Sequence, residues 1–292
     1  MFFYLLYLIG YGACWILPRR LCYAVARVAA DLNSSREDRE AVRANLEAVL
    51  GEGKVTNADV REVFRNFAMY LVDFFRFERL TPDRIGDWVE IEGLEKMRRA
   101  LAQGKGAIGV TAHLGNYELA AAVLSLLGLP VHGVVMTHQN PRVDRFFTRQ
   151  RERVGVTGIP IQKIGRKAFL ETALSVLRRN QILGFVADRD FFDHGLELPW
   201  FGRSVKVPTG PAAFSLRTGA PIVPSFLVRK PDGRYRFILH PPINAPQGLA
   251  REEAVRRTTL ACLDSMARVI RRYPTQWYMF QEFWRAGPGF IR

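Results

Sequence analysis

The sequence predicts an α/β fold: a mixed, mostly parallel sheet flanked by helices, with a helical hydrophobic N-terminal segment. From about residue 90 onward, short apolar runs alternate with amphipathic stretches, a pattern typical of strands and helices that pack on one another. Before that point the apolar residues follow helical spacing. Because no repeat or linker divides the chain, we expect one domain over residues 18–292, helical over 18–85 and α/β over 86–292.

Residues 1–17 form an uncharged apolar run, which is followed by Arg19 and Arg20. As a helix the run would extend about 25 Å, slightly less than a typical hydrocarbon core. It lacks the basic start and the cleavage site of a signal peptide. Four side chains with an aromatic body and a polar tip suit the lipid–water interface: Tyr4, Tyr7, Tyr11 and Trp15. We therefore expect a membrane anchor that either lies on the membrane or spans it, with the arginines keeping the following chain on the cytoplasmic side. The alternative is a buried first helix of a soluble core.

Two helices are predicted between this segment and the sheet. Ser34 and Glu37 form a capping-box pattern and Gly51 is a typical stop, so the first helix should cover residues 34–50. The second should begin at Asn57 and end near Phe77. Its wide apolar stripe suits core packing, although it could also face lipid.

Five strands and five helices are predicted in the remainder of the chain. The strands are 107–111, 131–136, 182–187, 222–228 and 235–239, and the helices lie near 116–127, 141–154, 166–179, 209–218 and 251–272. A GxGxxG pattern over residues 104–109 precedes a strand instead of joining a strand to a helix. We interpret it as a turn and not as a dinucleotide site.

The charge balance favours an anionic partner. The chain has 42 basic and 28 acidic residues, a net charge of +14 and a pI of about 10.2, and 35 of the basic residues are arginines. Nucleic acid, an acidic protein or an anionic membrane would all fit, but no groove-reading motif appears, so we do not expect a nucleic-acid partner. The three cysteines form no CxxC pair, which argues against a disulfide scaffold or a structural zinc site.

Residues suited to acid–base chemistry follow the strand at 107–111. His113 falls where that strand ends, and Asn116 is a suitable N-cap for the next helix. In one continuous helix Glu118 would point about 140° away from His113. In a strand-to-helix turn, with Gly115 permitting a tight bend, the two side chains could meet and form a general base with its orienting acid. A solvated histidine beside a glutamate that favours the helix N-terminus is equally consistent with the spacing.

Two further clusters carry charge. Asp188 and Asp190 end the strand at 182–187, and with Asp193 and His194 they could hold a divalent cation beside a nucleotide sugar, although DxD is a short and common motif. On the helix near 141–154, Arg142, Arg145 and Arg149 share one face. That face could bind phosphate or could simply be solvated.

His113 through Glu118 form an HxxxxE motif that resembles the His–acid motif of the lysophospholipid acyltransferase superfamily. More specifically, the chain resembles the lipid A biosynthesis lauroyl/myristoyl acyltransferase family, which also includes phosphatidylinositol mannoside acyltransferases. Six blocks in order carry the resemblance: 39–46, 113–118, Asn140-Pro141 with Arg151, 188–190, residues 201–202 with 208–210 and 219–224, and 274–278.

The resemblance implies transfer of a fatty acyl chain from a thioester on acyl carrier protein or coenzyme A to a hydroxyl of a membrane glycolipid. No cofactor and no metal are implied. His113 would deprotonate the hydroxyl and Glu118 would orient His113, although in the mannoside branch the residue that matches Asp188 is thought to do so. Arg151 would neutralise a substrate phosphate or the developing oxyanion. The other candidate substrate-binding residues are Asn116, Arg149 and Arg189.

Three expectations follow, which concern the acceptor, the location of the enzyme and the non-enzymatic alternative. The acceptor is a phosphorylated lipid A precursor, with a phosphatidylinositol mannoside or another glycolipid or phospholipid as the alternative. The enzyme works at the cytoplasmic (inner) membrane, on its cytoplasmic side, against an anionic membrane surface. The non-enzymatic alternative is a basic peripheral membrane-binding protein with a degenerate site.

Overall fold

The computed structural model describes residues 2–191 and 194–284, and only the backbone of residues 2–4. Four helices precede the first strand: α1 (Phe2–Ile16), α2 (Arg19–Asn33), α3 (Arg36–Leu50) and α4 (Asn57–Phe74). Seven follow: α5 (Ile85–Trp88), α6 (Leu94–Leu101), α7 (Tyr117–Leu126), α8 (Pro141–Arg153), α9 (Ile161–Arg178), α10 (Gly210–Thr218) and α11 (Arg251–Arg272). Across this described part of the chain, no helix is both long and apolar enough to cross a membrane.

Nine strands in the described residues form one large sheet and one hairpin. They are β1 (Val89–Glu92), β2 (Ala107–Thr111), β3 (Val131–Val135), β4 (Val156–Pro160), β5 (Ile182–Val186), β6 (Leu196–Trp200), β7 (Arg203–Val207), β8 (Ile222–Arg229) and β9 (Tyr235–Leu239). The large sheet has the order β1-β9-β8-β2-β5-β3-β4 and is parallel except between β8 and β9, while β6 and β7 form the antiparallel hairpin. The predicted mixed, mostly parallel α/β fold is therefore confirmed.

Helices cover both faces of the sheet, and each face has its own apolar core. Ile108 and Val110 of β2 contribute to the core that also contains residues of α9, α10 and α11. Ala107 of the same strand contributes to the opposite core, with residues of α4, α6, α7 and α8. Side chains alternate between the faces along a strand, so the odd-numbered residues of β2 lie under α7.

The boundaries of the two helices that were predicted before the sheet differ from the sequence predictions. Ser35, not Ser34, caps α3, because the Ser35 Oγ accepts the backbone N–H of Asp38 at 3.0 Å. The Ser34 hydroxyl instead accepts a hydrogen bond from Arg39 at 2.8 Å. Helix α4 ends at Phe74, and a short 3-10 turn over Phe77–Arg79 follows. The predicted stop of α3 at Gly51 is confirmed, with φ of 103°.

Helix α1 has one face against the protein and one face exposed. Tyr7 and Tyr11 pack edge-on against aromatic rings of the core, with the Tyr11 and Phe146 ring centroids 5.5 Å apart. These two rings pack against the protein and are only partly buried, and their expected place at a lipid interface stays a prediction. The outer face leaves Leu5 and Ile9 more than half exposed. The side chain of Tyr4 lies outside the described residues.

Candidate active site

The turn between β2 and α7 places His113 at the carboxyl edge of the sheet. Strand β2 ends at Thr111 and α7 begins at Tyr117, as predicted. Gly115 has φ of 61°, and a Cβ there would lie 2.0 Å from the carbonyl oxygen of Leu227. Only glycine fits this bend. Asn116 caps α7 through its Oδ1, which accepts the N–H of Leu119 at 3.0 Å, so the predicted N-cap is confirmed.

The register of the sheet brings Asp188 to His113. Strands β2 and β5 are parallel neighbours that pair Thr111 with Val186, and both chains then continue beyond the same edge. The Nδ1 of His113 lies 2.7 Å from Oδ1 of Asp188, and the backbone N–H of His113 donates to Oδ2 at 2.9 Å. The carboxylate is fully buried, whereas the imidazole is 23% exposed. The carboxylate of Asp188 is thus held in place, while the imidazole of His113 remains accessible.

The surroundings of Asp188 keep its carboxyl ionised. Burial alone would raise its pKa, but attraction to His113 and hydrogen bonds from His113 and Trp277 outweigh burial and lower the pKa below its usual value. An ionised carboxylate can only accept hydrogen bonds. The Nδ1 of His113 therefore carries the ring proton in the neutral form, and Nε2 presents its lone pair to an incoming group.

The C-terminal segment holds this pair in place. The indole Nε1 of Trp277 donates to Oδ2 of Asp188 at 2.9 Å. The N–H of Tyr278 donates to the carbonyl of His113 at 2.8 Å, and the N–H of Gly115 donates to the carbonyl of Gln276 at 2.9 Å. None of these C-terminal residues was predicted to lie at the site. The only signal was the block at 274–278, which carried part of the resemblance.

Glu118 does not contact His113 through a hydrogen bond but forms an ion pair with Arg151. The guanidinium donates through its Nε at 2.9 Å and through a terminal nitrogen at 2.6 Å, and both side chains are about nine-tenths buried. Burial lowers the pKa of Arg151, but attraction to Glu118 outweighs it and leaves the pKa raised. The expectation that Glu118 orients His113 is thus not what the structure shows. Arg151 is also not a free cation, because its charge is already balanced.

A cavity lies between α7 and the sheet, next to this ion pair. It has a volume of about 100 Å³, and its lining includes Tyr117, Ala121, Glu118 and Arg151. Its floor includes three glycines that are paired across the sheet, Gly109 with Gly184 and Gly184 with Gly133. These three have no positive φ, and the nearest atoms to a Cβ at any of them lie 3.6 Å away or more. The backbone therefore does not require glycine there, and its effect is to leave the space empty.

Comparison with known proteins supports an acyltransferase. The family described as bacterial lipid A biosynthesis acyltransferase matches residues 2–286 of this chain. The chain belongs to this family. The family includes glycolipid acyltransferases, so the resemblance inferred from six sequence blocks is confirmed, as is the general class of activity.

Individual relatives of the family cover different shares of the chain. The phosphatidylinositol mannoside acyltransferase of Mycolicibacterium smegmatis is 27% identical over 95% of this chain and 91% of its own length. The lipid A biosynthesis palmitoleoyltransferase of Escherichia coli is 27% identical over 80% of this chain and 77% of its own length. The lipid A biosynthesis lauroyltransferase of the same species is 30% identical over 56% and 53%.

The other predicted substrate-binding residues lie in three different environments. Asn116 is fully buried, and its amide is used by the cap and by a 3.4 Å hydrogen bond to Tyr235, so its position does not support a substrate contact. Arg149 is exposed on α8. Arg189 follows Asp188 directly, donates to Gln281 and places its guanidinium carbon 4.8 Å from the centre of the Phe191 ring. Phe191 in turn contacts the His113 ring, so Arg189 is near the site.

The DxD motif does not form a metal site within the part of the chain that the structure describes. No group of three or more histidine, cysteine, aspartate or glutamate side chains suited to a metal ion occurs there. The carboxylate of Asp190 accepts the N–H of Gly195 at 2.6 Å. Asp193, the third predicted carboxylate, lies outside the described residues.

Proposed function

We propose that this protein transfers a fatty acyl chain from an acyl thioester to a hydroxyl of a glycolipid, with His113 as the general base and Asp188 as its orienting acid. The observation that carries the proposal is the 2.7 Å contact between Nδ1 of His113 and the fully buried carboxylate of Asp188. A base held in one tautomer by a carboxylate, with its other nitrogen accessible, is the arrangement that activates a hydroxyl for attack on an acyl group.

The reaction begins at Nε2 of His113, the ring nitrogen that does not contact Asp188. Nε2 of His113 takes the proton of the acceptor hydroxyl while the hydroxyl oxygen attacks the thioester carbonyl carbon. Asp188 stabilises the resulting imidazolium. When the tetrahedral intermediate collapses, the C–S bond breaks, and the imidazolium returns its proton to the departing thiolate. The products are an ester on the acceptor and a free thiol on the carrier.

Arg189 is the residue we assign to the negative charge that develops. It follows Asp188 in sequence and is half-buried, and it contacts His113 indirectly through Phe191. Its guanidinium can donate to an oxyanion or to a substrate phosphate. Arg151 is not assigned to that charge, because its own charge is balanced by Glu118. The pair instead lines the cavity beneath α7.

Part of the donor's acyl chain is assigned to the cavity beneath α7. Its lining includes Tyr117, whose ring centroid is 5.5 Å from that of His113, and its floor is apolar and glycine-rich. A chain that enters there would leave its thioester close to Nε2. Burial of methylene groups would also provide much of the binding free energy, at about 0.8 kcal/mol for each one.

For the acceptor we propose a phosphorylated lipid A precursor, in keeping with the description of the family. A phosphatidylinositol mannoside is the second candidate. It is favoured by the relatives that bear that name, which align with 95% of the chain, whereas the two Escherichia coli lipid A enzymes align with 80% and 56%. The donor carrier is acyl carrier protein or coenzyme A.

We also propose that the protein binds peripherally to the cytoplasmic membrane, on the cytoplasmic side, through α1 and α2. Of the twelve large apolar side chains that are exposed in the described chain, ten belong to these two helices. An apolar helical surface of this kind binds at the lipid interface, and the net charge of +14 adds attraction to anionic lipids. A basic membrane-binding protein without activity would share this surface, so the reaction itself must be tested.

The test is a matrix of donors and acceptors with purified protein. Acyl-coenzyme A and acyl-acyl carrier protein are each combined with a lipid A precursor and with a phosphatidylinositol mannoside, and the products are identified by mass spectrometry. We expect one acceptor to gain the mass of one acyl chain. Acylation of the mannoside alone would replace our first acceptor with the second. No acylated product from any combination would contradict the proposed activity.

A further inference from the structure

A second, polar cavity adjoins the one beneath α7. It has a volume of about 330 Å³ and lies between α8 and the ends of β3 and β4. Val135 and Arg151 line both cavities, and Gly158 of the polar cavity is paired with Gly133 in the floor of the apolar one. The two cavities are therefore contiguous.

Positive charge dominates this polar cavity. Its lining includes four cations and two carboxylates: Arg145, Arg149, Arg151, Lys163, Asp144 and Glu152. Two of the cations are already balanced, since Lys163 pairs with Asp144 at 2.6 Å and Arg151 pairs with Glu118. Arg145 and Arg149 are exposed, and neither forms an ion pair with another described residue. They stand one turn apart on α8, where like charges repel unless an anion lies between them.

We propose that this cavity binds a phosphate ester of one of the two substrates, with Arg145 and Arg149 as the principal contacts. The inference rests on the proposed acyl transfer. Guanidinium groups bind phosphate oxygens bidentately, which suits two arginines on one helical face. The hydroxyl of Thr148, which also lines the cavity, is a further donor.

The position of the cavity indicates which phosphate it can hold. In the order β2-β5-β3-β4, it lies two to three strands from the strand that leads to His113, or roughly 10–14 Å away at the usual strand spacing. The bound phosphate is thus remote from the reacting carbonyl. Two sources match: the phosphate at the far end of the donor's phosphopantetheine arm, and a phosphate on the acceptor's sugar or glycerol.

Kinetics of a double variant tests the proposal. Arg145→Ala with Arg149→Ala is compared with Arg178→Ala with Arg256→Ala, which removes the same charge from exposed positions on α9 and α11. We expect the first variant to raise KM for one substrate by about tenfold with little change in kcat. The control variant should match the parent. Equal KM values for both substrates in the two variants would overturn the proposal.

Two arms identify the source of the phosphate. If the donor supplies it, KM for acyl-coenzyme A rises while KM for an S-acyl pantetheine without phosphate stays at the parental value. If the acceptor supplies it, KM for the acceptor rises with either donor. A rise in KM for the phosphate-free donor alone would contradict phosphate recognition.

Direct binding separates this inference from the proposed function. Calorimetric titration with coenzyme A and with each phosphorylated acceptor does not require turnover. If the parent shows no acyl transfer but binds one of these ligands about tenfold more tightly than the double variant, the phosphate site stands and the proposed reaction fails. If the parent and the control variant bind these ligands no more tightly than the double variant does, the proposed phosphate site is wrong. This holds whether or not acyl transfer is observed.

Discussion

Nδ1 of His113 and Oδ1 of Asp188 are 2.7 Å apart although 75 positions separate the two residues in the sequence. Parallel pairing of β2 with β5 produces this contact, because both strands end at the same edge of the sheet. Trp277, from a third part of the chain, donates to the other carboxylate oxygen. The acid that serves His113 is therefore set by tertiary pairing and not by the local HxxxxE spacing.

Asp188→Asn is expected to reduce turnover far more than Glu118→Gln. An amide at 188 cannot hold the Nδ1 proton or stabilise the imidazolium in the same way, so the loss should be at least ~10²-fold. Each change is measured alone and with His113→Ala, on protein shown to be folded by circular dichroism. Asp188→Asn should add little once His113 is gone, because residues that act as one unit are not additive. A large loss in Glu118→Gln that is coupled to His113, with Asp188→Asn near parental turnover, would reverse the assignment.

Gly133→Val is expected to shift the preferred donor toward shorter acyl chains. The new side chain would enter the cavity, where the nearest atom to a Cβ is 4.0 Å away, and would fill space that a long chain needs. We expect kcat/KM for the longest accepted donor to fall by about tenfold or more, with short donors much less affected. Gly86→Val is the control, because a Cβ there meets nothing within 4 Å and the residue is outside the cavity. An unchanged chain-length profile would place the acyl chain elsewhere.

Leu5→Asp with Ile9→Asp is expected to weaken membrane binding. These side chains are 54% and 59% exposed on the outer face of α1. Burying each in lipid contributes about 1.5–3 kcal/mol, which charged replacements remove. The measurement is co-sedimentation with anionic vesicles at high salt, where the basic surface contributes least. Leu196→Asp with Leu249→Asp, two exposed apolar positions outside α1 and α2, serve as the control. Equal binding by both variants would mean that α1 is not the contact.

Asp73 is expected to make the folded state sensitive to acid. Burial would raise the pKa of its carboxyl, but attraction to Arg229 and Arg19 outweighs burial and lowers it. This stabilisation is therefore complete above the ordinary aspartate pKa of about 3.9 and is lost as the pH falls through the lower folded value. Asp73→Asn should cost several kcal/mol at pH 7, since it leaves buried arginines without their anion, roughly 3–5 kcal/mol for such pairs. It should also flatten the decline in unfolding free energy below pH 4, as measured by urea titration. An equally steep decline in the variant would contradict this role.

The sequence predicted the strands that form the centre of the sheet but missed those at its edges. Strands β2 and β9 were located to the residue, because most of their residues are apolar and buried. Strand β1 has only four residues, and β4 contains a glycine and ends in a proline, so neither shows a strong strand pattern. Helix α2 was also missed. Its apolar stripe faces outward while Arg19 and Tyr23 contact the buried Asp73, the reverse of an ordinary surface helix.

The sequence predicted which residues belong to the candidate site better than it predicted which of them contact one another. His113, Asp188, Glu118 and Arg151 were all named from the sequence, since their residue types and their places at strand ends or in family blocks are visible there. The sequence did not show which carboxylate pairs with His113 and which with Arg151, because these contacts depend on the order of strands in the sheet and on the position of α8. The same limit applies to Trp277, which only the folded chain brings to Asp188.

The most direct test of the account is acyl transfer by the parent and by His113→Ala, each purified and shown to be folded. Both are given the donor and acceptor that the parent uses, and the acylated lipid is quantified by mass spectrometry. We predict that the parent forms the ester and that His113→Ala forms it at least ~10²-fold more slowly, with donor binding retained. Equal rates from the two proteins would contradict the central claim that His113 is the base of this acyltransferase.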